Sequence, residues 1–443
     1  MKKIAVIGGG VAGIKAALEL AKASEELEIH LFELRSQLGG RMYSLVDKTT
    51  GEEIDNGQHL MIGAYDYFLE MVRDFKSEDK LFIQKSLRVD FLSKKSSTML
   101  KTDYLPGRAG MLMGFLMLDV GFVSKIRAMS FFVKFMMDKL SWRDKTAEQL
   151  LREHKQGEDL IDIFWRPFIL AVFNAQPEQV PAKLLIAVLK RTILANPDNS
   201  RLIVPKTGLS KLINSAEKVL KQKGVKLHPG ESISSFGKEN NEFVLRSKES
   251  EFRFDKVISA LAPDALSKLL KTNFSDSNIY NKIQDYSHSP ISSIYMWFDR
   301  NFMKESFVGV TDSPIQWIFN RRKLIDTPPE IQKSYPGHIT LTISASDEIV
   351  KLSKDEIIDL LMKELKEYFP EAENAKLLHY KILNAKKATI LIETDTFRPG
   401  VDSGIEGLYL AGDWTDTGLP ATLEGAAQSG AIAAKTLLKS TNS

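Results

Sequence analysis

The feature that most constrains this chain is a glycine-rich turn near its amino terminus, GGGVAG, between two apolar segments. Residues 3–7 (KIAVI) are typical of a buried strand, residues 11–23 of a helix and residues 27–33 (LEIHLFE) of a second strand. Together they predict one βαβ unit of a parallel sheet. In the pattern G-x-G-x-x-G, glycines allow a tight turn, a close backbone approach to a pyrophosphate, and close packing of helix on strand. The turn therefore predicts a dinucleotide site.

The acidic residue that such a site uses is Glu33, at the end of the second strand and 20 residues after Gly13. Its carboxylate could accept hydrogen bonds from ribose hydroxyls. The alternative is a glycine-rich turn at a strand end that binds no ligand. The residues predicted to bind the cofactor here are Gly8, Gly10, Val11, Ala12, Gly13 and Glu33.

Composition limits the chemistry that the chain can perform. The 443 residues include no cysteine, which excludes disulfides, a thiolate nucleophile and cysteine-bound iron–sulfur or zinc centres. Any redox chemistry must therefore use a bound cofactor. Lys and Arg number 60 against 57 Asp and Glu, a net charge of +3, which gives no basis for nucleic-acid binding. We expect a cytoplasmic protein.

At this length a single core usually divides, so two domains are expected. The pattern predicts an α/β fold in which a Rossmann-type domain carries an inserted α+β substrate domain of mixed sheet plus helices. The Rossmann-type domain is assigned residues 1–80, 200–275 and 395–443, and the inserted domain residues 81–199 and 276–394.

Local patterns predict the main elements outside the first βαβ unit. A helix is predicted over 209–223, and strands over 290–299, 314–320 and 338–344. Residues 353–369 are predicted to form a helix that opens with a Ser-x-x-Glu capping box.

Two more glycine turns could contact the same cofactor. RSQLGGR places Gly40 and Arg41 just after Glu33, where a guanidinium could hold phosphate oxygens. LYLAGD is an apolar strand that ends in Gly412 and Asp413. Each turn, taken alone, is equally consistent with an ordinary loop.

The tail TGLPATLEGAAQSG predicts a helix rich in small residues that begins near Ala421 and Thr422. The amino terminus of such a helix could direct its free N–H groups at an anion. Its small side chains also suit tight packing on the first βαβ unit, and both interpretations can hold together.

The segment DNGQHL concentrates polar groups directly after the first glycine turns. Asp55 and His59 are the candidate proton-handling residues, and Gly57 would permit close approach of a cofactor ring. The alternative for His59 is a structural histidine bonded to the backbone. The other histidines are scattered without metal-ligand spacing, so no metal site is expected.

These motifs resemble the flavoprotein oxidoreductases of the amine oxidase and phytoene desaturase superfamily. DNGQHLMIGAY (55–65), FWRPFILAVFNAQPEQVPA (164–182) and TGLPATLEGA further resemble its squalene-associated branch, the hydroxysqualene dehydroxylases. The resemblance covers essentially the whole chain. It implies FAD as cofactor, with Asp413 on the ribityl and pyrophosphate side, and the reductive dehydroxylation of hydroxysqualene to squalene. The predicted cofactor-binding set also includes Val225.

Other functions stay open at this point. Within the same superfamily they are an isoprenoid (phytoene- or squalene-type) desaturase and a flavin amine oxidase, for which Trp414 could form one wall of an aromatic cage. Outside enzymes, the alternative is an isoprenoid-binding escort protein. The reductive reaction would also need an electron donor, which the sequence does not identify.

The apolar segment 109–140 predicts helices rich in Met and Phe. Asp119, Lys125, Arg127 and Lys134 interrupt it and exclude a spanning helix. It could line a channel for the apolar isoprenoid substrate, lie on the inner face of the cytoplasmic membrane with its basic residues toward headgroups, or form a buried hairpin.

Overall fold

The computed structural model describes residues 1–105 and 107–441. The strands in this part of the chain are β1 (Lys2–Ile7), β2 (Leu27–Glu33), β3 (Ser44–Val46), β4 (Glu53–Asp55), β5 (Met61–Ile62), β6 (Leu81–Ile83), β7 (Arg88–Leu92), β8 (Ser97–Lys101), β9 (Leu202–Pro205), β10 (Lys226–Pro229), β11 (Ser235–Glu239), β12 (Glu242–Arg246), β13 (Glu251–Phe254), β14 (Lys256–Ser259), β15 (His288–Phe298), β16 (Phe307–Val310), β17 (Trp317–Asn320), β18 (Gly337–Ser344), β19 (Leu377–Ile390) and β20 (Leu408–Leu410).

The α-helices of the described residues are α1 (Val11–Ala23), α2 (Asp66–Asp74), α3 (Arg108–Met117), α4 (Phe122–Met136), α5 (Ala147–Glu153), α6 (Glu158–Leu160), α7 (Arg166–Phe173), α8 (Ala182–Leu189), α9 (Ala216–Gln222), α10 (Pro263–Leu270), α11 (Asn278–Lys282), α12 (Arg321–Leu324), α13 (Pro329–Ser334), α14 (Lys354–Tyr368) and α15 (Leu423–Lys439). Two π-helical turns, Ile161–Trp165 and Lys190–Ala195, extend α6 and α8.

A parallel sheet of order β10-β2-β1-β14-β20 organises the nucleotide-binding part. Helix α15 packs on α1, and the contact is so close that a Cβ on Gly430 would lie 2.1 Å from the carbonyl oxygen of Ala12. The small residues of the carboxyl-terminal helix therefore bring the two ends of the chain together. The predicted tight packing of this helix on the first βαβ unit is confirmed.

A second, mixed sheet organises the inserted part, with order β19-β15-β18-β17-β16-β7-β8. Helix α14 packs against it and starts with the predicted capping box, in which Ser353 and Glu356 each bond the other's backbone N–H. The α/β fold with an inserted mixed sheet plus helices is confirmed. The strands of the two sheets lie within the predicted domain ranges, whereas the boundaries of those ranges stay a prediction.

Two predicted elements differ from the structure. The helix predicted over 209–223 is divided into a 3-10 turn, Leu209–Leu212, and α9, because the backbone at Ile213 leaves the helical conformation (φ −122°, ψ 11°). The strand predicted over 314–320 is shorter, since β17 begins at Trp317.

The apolar segment predicted over 109–140 forms α3 and α4 with a break between them. Each helix buries one face in the same core, where Phe115 packs against Phe132 and Phe164. No helix of the described residues is both long enough and apolar enough to cross a membrane.

Candidate functional site

The first glycine turn, GGGVAG, lies at the carboxyl end of β1, and its glycines leave main-chain groups uncovered by side chains. Helix α1 has Gly10 as its N-cap, so no side chain caps the N–H groups of its first turn, which includes Val11 and Ala12. A Cβ on Gly13 would lie 1.8 Å from the carbonyl oxygen of Gly8, which explains why only glycine fits where the helix meets the strand. An uncapped helix terminus of this kind suits phosphate oxygens.

Glu33 ends β2 beside this turn. Its buried carboxylate accepts one hydrogen bond on each oxygen, from the N–H of Gly9 at 2.7 Å and from the N–H of Arg35 at 2.9 Å. Each oxygen of an ionised carboxylate can accept a second bond. The group is therefore fixed in place and can still accept bonds from the hydroxyls of a ribose.

The second glycine turn lies directly against the first. The N–H of Gly39 donates to the carbonyl of Gly9 at 2.8 Å, and a Cβ on Gly40 would lie 3.0 Å from the Cα of Gly10. Arg41 follows, and its guanidinium forms a 2.6 Å ion pair with Asp413. Two predicted cofactor residues from opposite ends of the sequence thus meet at one place.

The third turn follows β20. The N–H of Gly412 donates to the Ser429 hydroxyl at 2.8 Å, which ties the turn to α15. That helix begins after Ala421 with Thr422 as N-cap, whose hydroxyl accepts from the N–H of Gly425. The predicted helix start is confirmed, and its approach to a cofactor stays a prediction.

Sequence reasoning missed Arg398, which holds this loop. Its buried guanidinium donates to the carbonyls of Leu419 at 2.8 Å, Asp413 at 3.1 Å and Trp414 at 3.3 Å, and also to that of Thr415. These carbonyls follow Asp413 closely in the chain. A buried arginine that serves backbone carbonyls leaves no pattern in the sequence that would distinguish it from a surface arginine.

The DNGQHL segment follows β4, where Asp55 has an anchoring role. Its buried carboxylate accepts from the Ser44 hydroxyl and from the N–H of Leu209, both at 2.7 Å, and its backbone bonds the Tyr295 hydroxyl. These bonds fix the segment. They do not support the prediction that Asp55 handles a proton.

His59 lies two residues beyond Gly57 and bonds to it. The ring Nδ1 is 2.7 Å from the Gly57 carbonyl, which can only accept, so Nδ1 carries the proton and Nε2 is left as an acceptor. Burial lowers the pKa of His59, although the Gly57 carbonyl and the charge of Asp55 raise it. The imidazole is therefore neutral at pH 7 and offers a fixed acceptor.

Two predictions are corrected by the structure. Val225 precedes β10 at its amino end, whereas Pro229 at the other end pairs with Glu33, so Val225 is distant from the edge where the glycine turns gather. Trp414 is buried in a core and donates its indole N–H to the Leu261 carbonyl at 3.0 Å, so it forms no wall of an aromatic cage.

Among the described residues, no group of three or more His, Asp or Glu side chains is arranged to hold a metal.

Comparison with known proteins agrees with this geometry. A family model described as flavin containing amine oxidoreductase matches residues 11–438. A hydroxysqualene dehydroxylase from Sinorhizobium fredii is 26% identical over 100% of this chain and 99% of its own length. A 15-cis-phytoene desaturase from Synechococcus elongatus is 23% identical over 98% of this chain and 96% of its own length.

Solved structures share the fold across the full length. An oxidoreductase from Methanosarcina mazei has a TM-score of 0.75 at 19% identity, and it covers 99% of this chain and 100% of its own. A putrescine oxidase bound to putrescine has a TM-score of 0.74 at 13% identity, with 99% of each chain covered.

Proposed function

The chain belongs to the flavin-containing amine oxidoreductase family, and from that premise we propose that it reduces hydroxysqualene to squalene. It is an FAD-dependent oxidoreductase. The observation that carries the substrate proposal is the similarity to hydroxysqualene dehydroxylases, which extends over the whole chain and includes the segment around His59. The residues of the three glycine turns fit FAD, since they combine an uncapped helix terminus, bare glycine backbone and a buried carboxylate.

In the proposed reaction the C–O bond of the alcohol breaks and a C–H bond forms at the same carbon. The hydroxyl group takes up one proton, which in the overall balance comes from the reduced cofactor as it is oxidised, and leaves as water. Reduced FAD, when bound, supplies the hydride and ends oxidised, so a separate two-electron donor must reduce it before each turnover. The protein has to hold the carbon chain, exclude bulk water and orient the hydroxyl group.

We assign the orienting role to His59. Because Nδ1 donates to the Gly57 carbonyl, Nε2 can accept a hydrogen bond from the substrate hydroxyl. A neutral imidazole does not supply the proton through Nε2, so this assignment narrows the predicted role of His59 from proton donor to orienting group.

The function is tested by mixing anaerobically reduced protein with hydroxysqualene while flavin absorbance and product are followed. Reoxidation of the flavin with release of squalene supports the proposal. Reduction of oxidised flavin by phytoene or squalene would indicate a desaturase, and its reduction by amines an amine oxidase. A colourless protein that cannot be reconstituted with FAD would contradict every enzymatic reading and favour an escort protein.

We expect His59→Ala to bind FAD as the wild type does and to reduce kcat about tenfold, since it loses one fixed hydrogen-bond acceptor. The matched comparison is Glu33→Ala, which should weaken FAD retention because the carboxylate beside Gly9 is lost. Stopped-flow turnover and the FAD content after gel filtration measure the two effects separately. Wild-type turnover by His59→Ala would show that the orienting role is wrong.

We also propose that α4 rests on a membrane surface, from which an apolar substrate could enter. Its outward face carries large apolar side chains: Phe122 is 77% exposed, Val123 56% and Ile126 54%. At about 100° per residue, Lys125 falls on one edge of this apolar stripe and Arg127 and Lys134 on the other. Apolar residues between flanking basic residues are the pattern of helices that lie in the headgroup region.

Sedimentation with vesicles that contain anionic phospholipid tests this placement. The variant Lys125→Gln, Arg127→Gln, Lys134→Gln should lose about tenfold or more in partitioning, because each basic residue near an anionic surface contributes about 1 kcal/mol. Lys351→Gln is the control and should bind as the wild type does, because Lys351 is an exposed lysine that lies outside α4, between β18 and α14. Equal binding of the triple variant and the wild type would contradict the proposal.

A further inference from the structure

Arg321 is a buried arginine that contacts the DNGQHL segment from the inserted domain. It is 1% exposed and lies in α12, directly after β17. Its guanidinium donates to the side-chain oxygen of Gln58 at 2.9 Å and to the carbonyl of Glu53 at 2.8 Å, and it lies 5.4 Å from the ring centre of Tyr295. The arginine therefore bonds both ends of a short stretch of chain.

This contact determines which way the Gln58 amide points. A guanidinium can only donate, so the amide oxygen must face Arg321 and the amide nitrogen must face away from it. The contact between that nitrogen and the His59 carbonyl is 3.5 Å, at the limit of a hydrogen bond. At least one N–H of a side chain that is only 9% exposed thus has no close acceptor in the described structure.

The backbone around Gln58 is held equally firmly. The Tyr295 hydroxyl donates to the Asp55 carbonyl at 2.9 Å and accepts from the Asp55 N–H at 3.2 Å. Tyr295 lies in β15 of the seven-stranded sheet, so the inserted domain fixes both the main chain and the side chain of this segment. Such supports are characteristic of groups that must meet a ligand in one orientation.

From this geometry we propose that Gln58 donates a hydrogen bond to an acceptor oxygen of the bound substrate or cofactor, and that Arg321 is its positioning residue. The inference rests on the proposed function. The acceptor oxygen is either the hydroxyl oxygen that leaves as water or a ring carbonyl of FAD. A preoriented donor would in the first case help the oxygen to leave as its bond to carbon breaks, and in the second case stabilise the negative charge of the reduced flavin.

Two variants remove the donor in different ways. Gln58→Glu keeps an oxygen for Arg321 and adds a charge, whereas Gln58→Met adds no charge and leaves Arg321 one partner short. An effect that both variants share therefore reports the lost N–H. We expect both to retain FAD, and if the acceptor is the substrate oxygen we expect both to lower kcat for hydroxysqualene about tenfold to a hundredfold. Arg321→Lys should lower the same measured value, kcat or the flavin midpoint potential, by less than the Gln58 variants do.

The flavin midpoint potential, measured without substrate, separates the two acceptors. A lower potential in both variants places the acceptor oxygen on FAD, and an unchanged potential with a lower kcat places it on the substrate. Wild-type potential and wild-type kcat in both variants would overturn the proposal. If the wild type does not consume hydroxysqualene, the proposed function fails, and an unchanged potential then overturns the donor role as well.

Discussion

Arg398→Ala is expected to release FAD and to lower the free energy of unfolding by about 3–5 kcal/mol, because several carbonyl groups of one loop lose their donor together. The arginine is buried, so water cannot replace it without reorganising the loop. Asp413 lies in that loop and pairs with Arg41, so cofactor binding and stability should fail together. Denaturant unfolding and the FAD content of the purified protein measure the two losses.

Arg398→Lys is the matched variant. A lysine ammonium keeps the charge but cannot reach carbonyls on several sides at once, so the loss should be intermediate. Arg201→Ala is the control, since Arg201 is partly exposed and pairs with Asp198 three residues earlier. Full FAD retention by Arg398→Ala would show that the loop keeps its shape without the arginine.

His338→Phe is expected to make the protein less sensitive to acid. His338 is fully buried in β18 and stacks on Trp297 at 4.2 Å, and burial lowers its pKa from the ordinary 6.5 to about 3. Glu52, Arg321 and Arg322 are the charged groups that act on it. The unfolded chain takes up a proton below pH 6.5 and the folded chain does not, so this residue lowers stability as the pH falls from 6.5 toward 3.

At about pH 4.5 the wild type should therefore have lost about 2–3 kcal/mol more of its pH 7 stability than His338→Phe. Phenylalanine can keep the stacking on Trp297 but cannot take up a proton. Urea unfolding at the two pH values, for both proteins, gives the comparison. An equal loss of unfolding free energy between pH 7 and pH 4.5 in the two proteins would mean that His338 does not cause the acid sensitivity.

The nucleotide-binding sheet was predictable because its signals are local. The glycines of the first turn and Glu33 act within one βαβ unit, where each residue's role follows from its position after a strand. The capping box of α14 is local in the same way. Patterns of this kind depend only on residues close together in the chain, so they can be recognised from a single sequence.

The supports of the site could not be predicted in this way. Arg321 and Gln58 are 263 residues apart, and Arg41 and Asp413 are 372 apart. Nothing in the segments WIFNRR or FRPG indicates that an arginine points inward. The anchoring contacts of Asp55 could not be predicted for the same reason, because its partner Leu209 comes from a distant turn. The placement of Val225 failed because strand β10 begins after it.

The contacts between Glu52, beside β4, and the seven-stranded sheet also restrict how the two parts of the molecule can move. Arg322 forms a two-pronged ion pair with Glu52 at 2.6 and 2.9 Å, and Trp297 donates to the same carboxylate. A hinge at this joint would have to break a buried ion pair, so rotation of the seven-stranded sheet against the cofactor part should be costly in free energy. Helices α3 and α4 bury only one face each. Fewer packed groups therefore hold these two helices than hold the joint at Glu52, so we expect the helices to separate from the core at a lower cost in free energy than the joint opens.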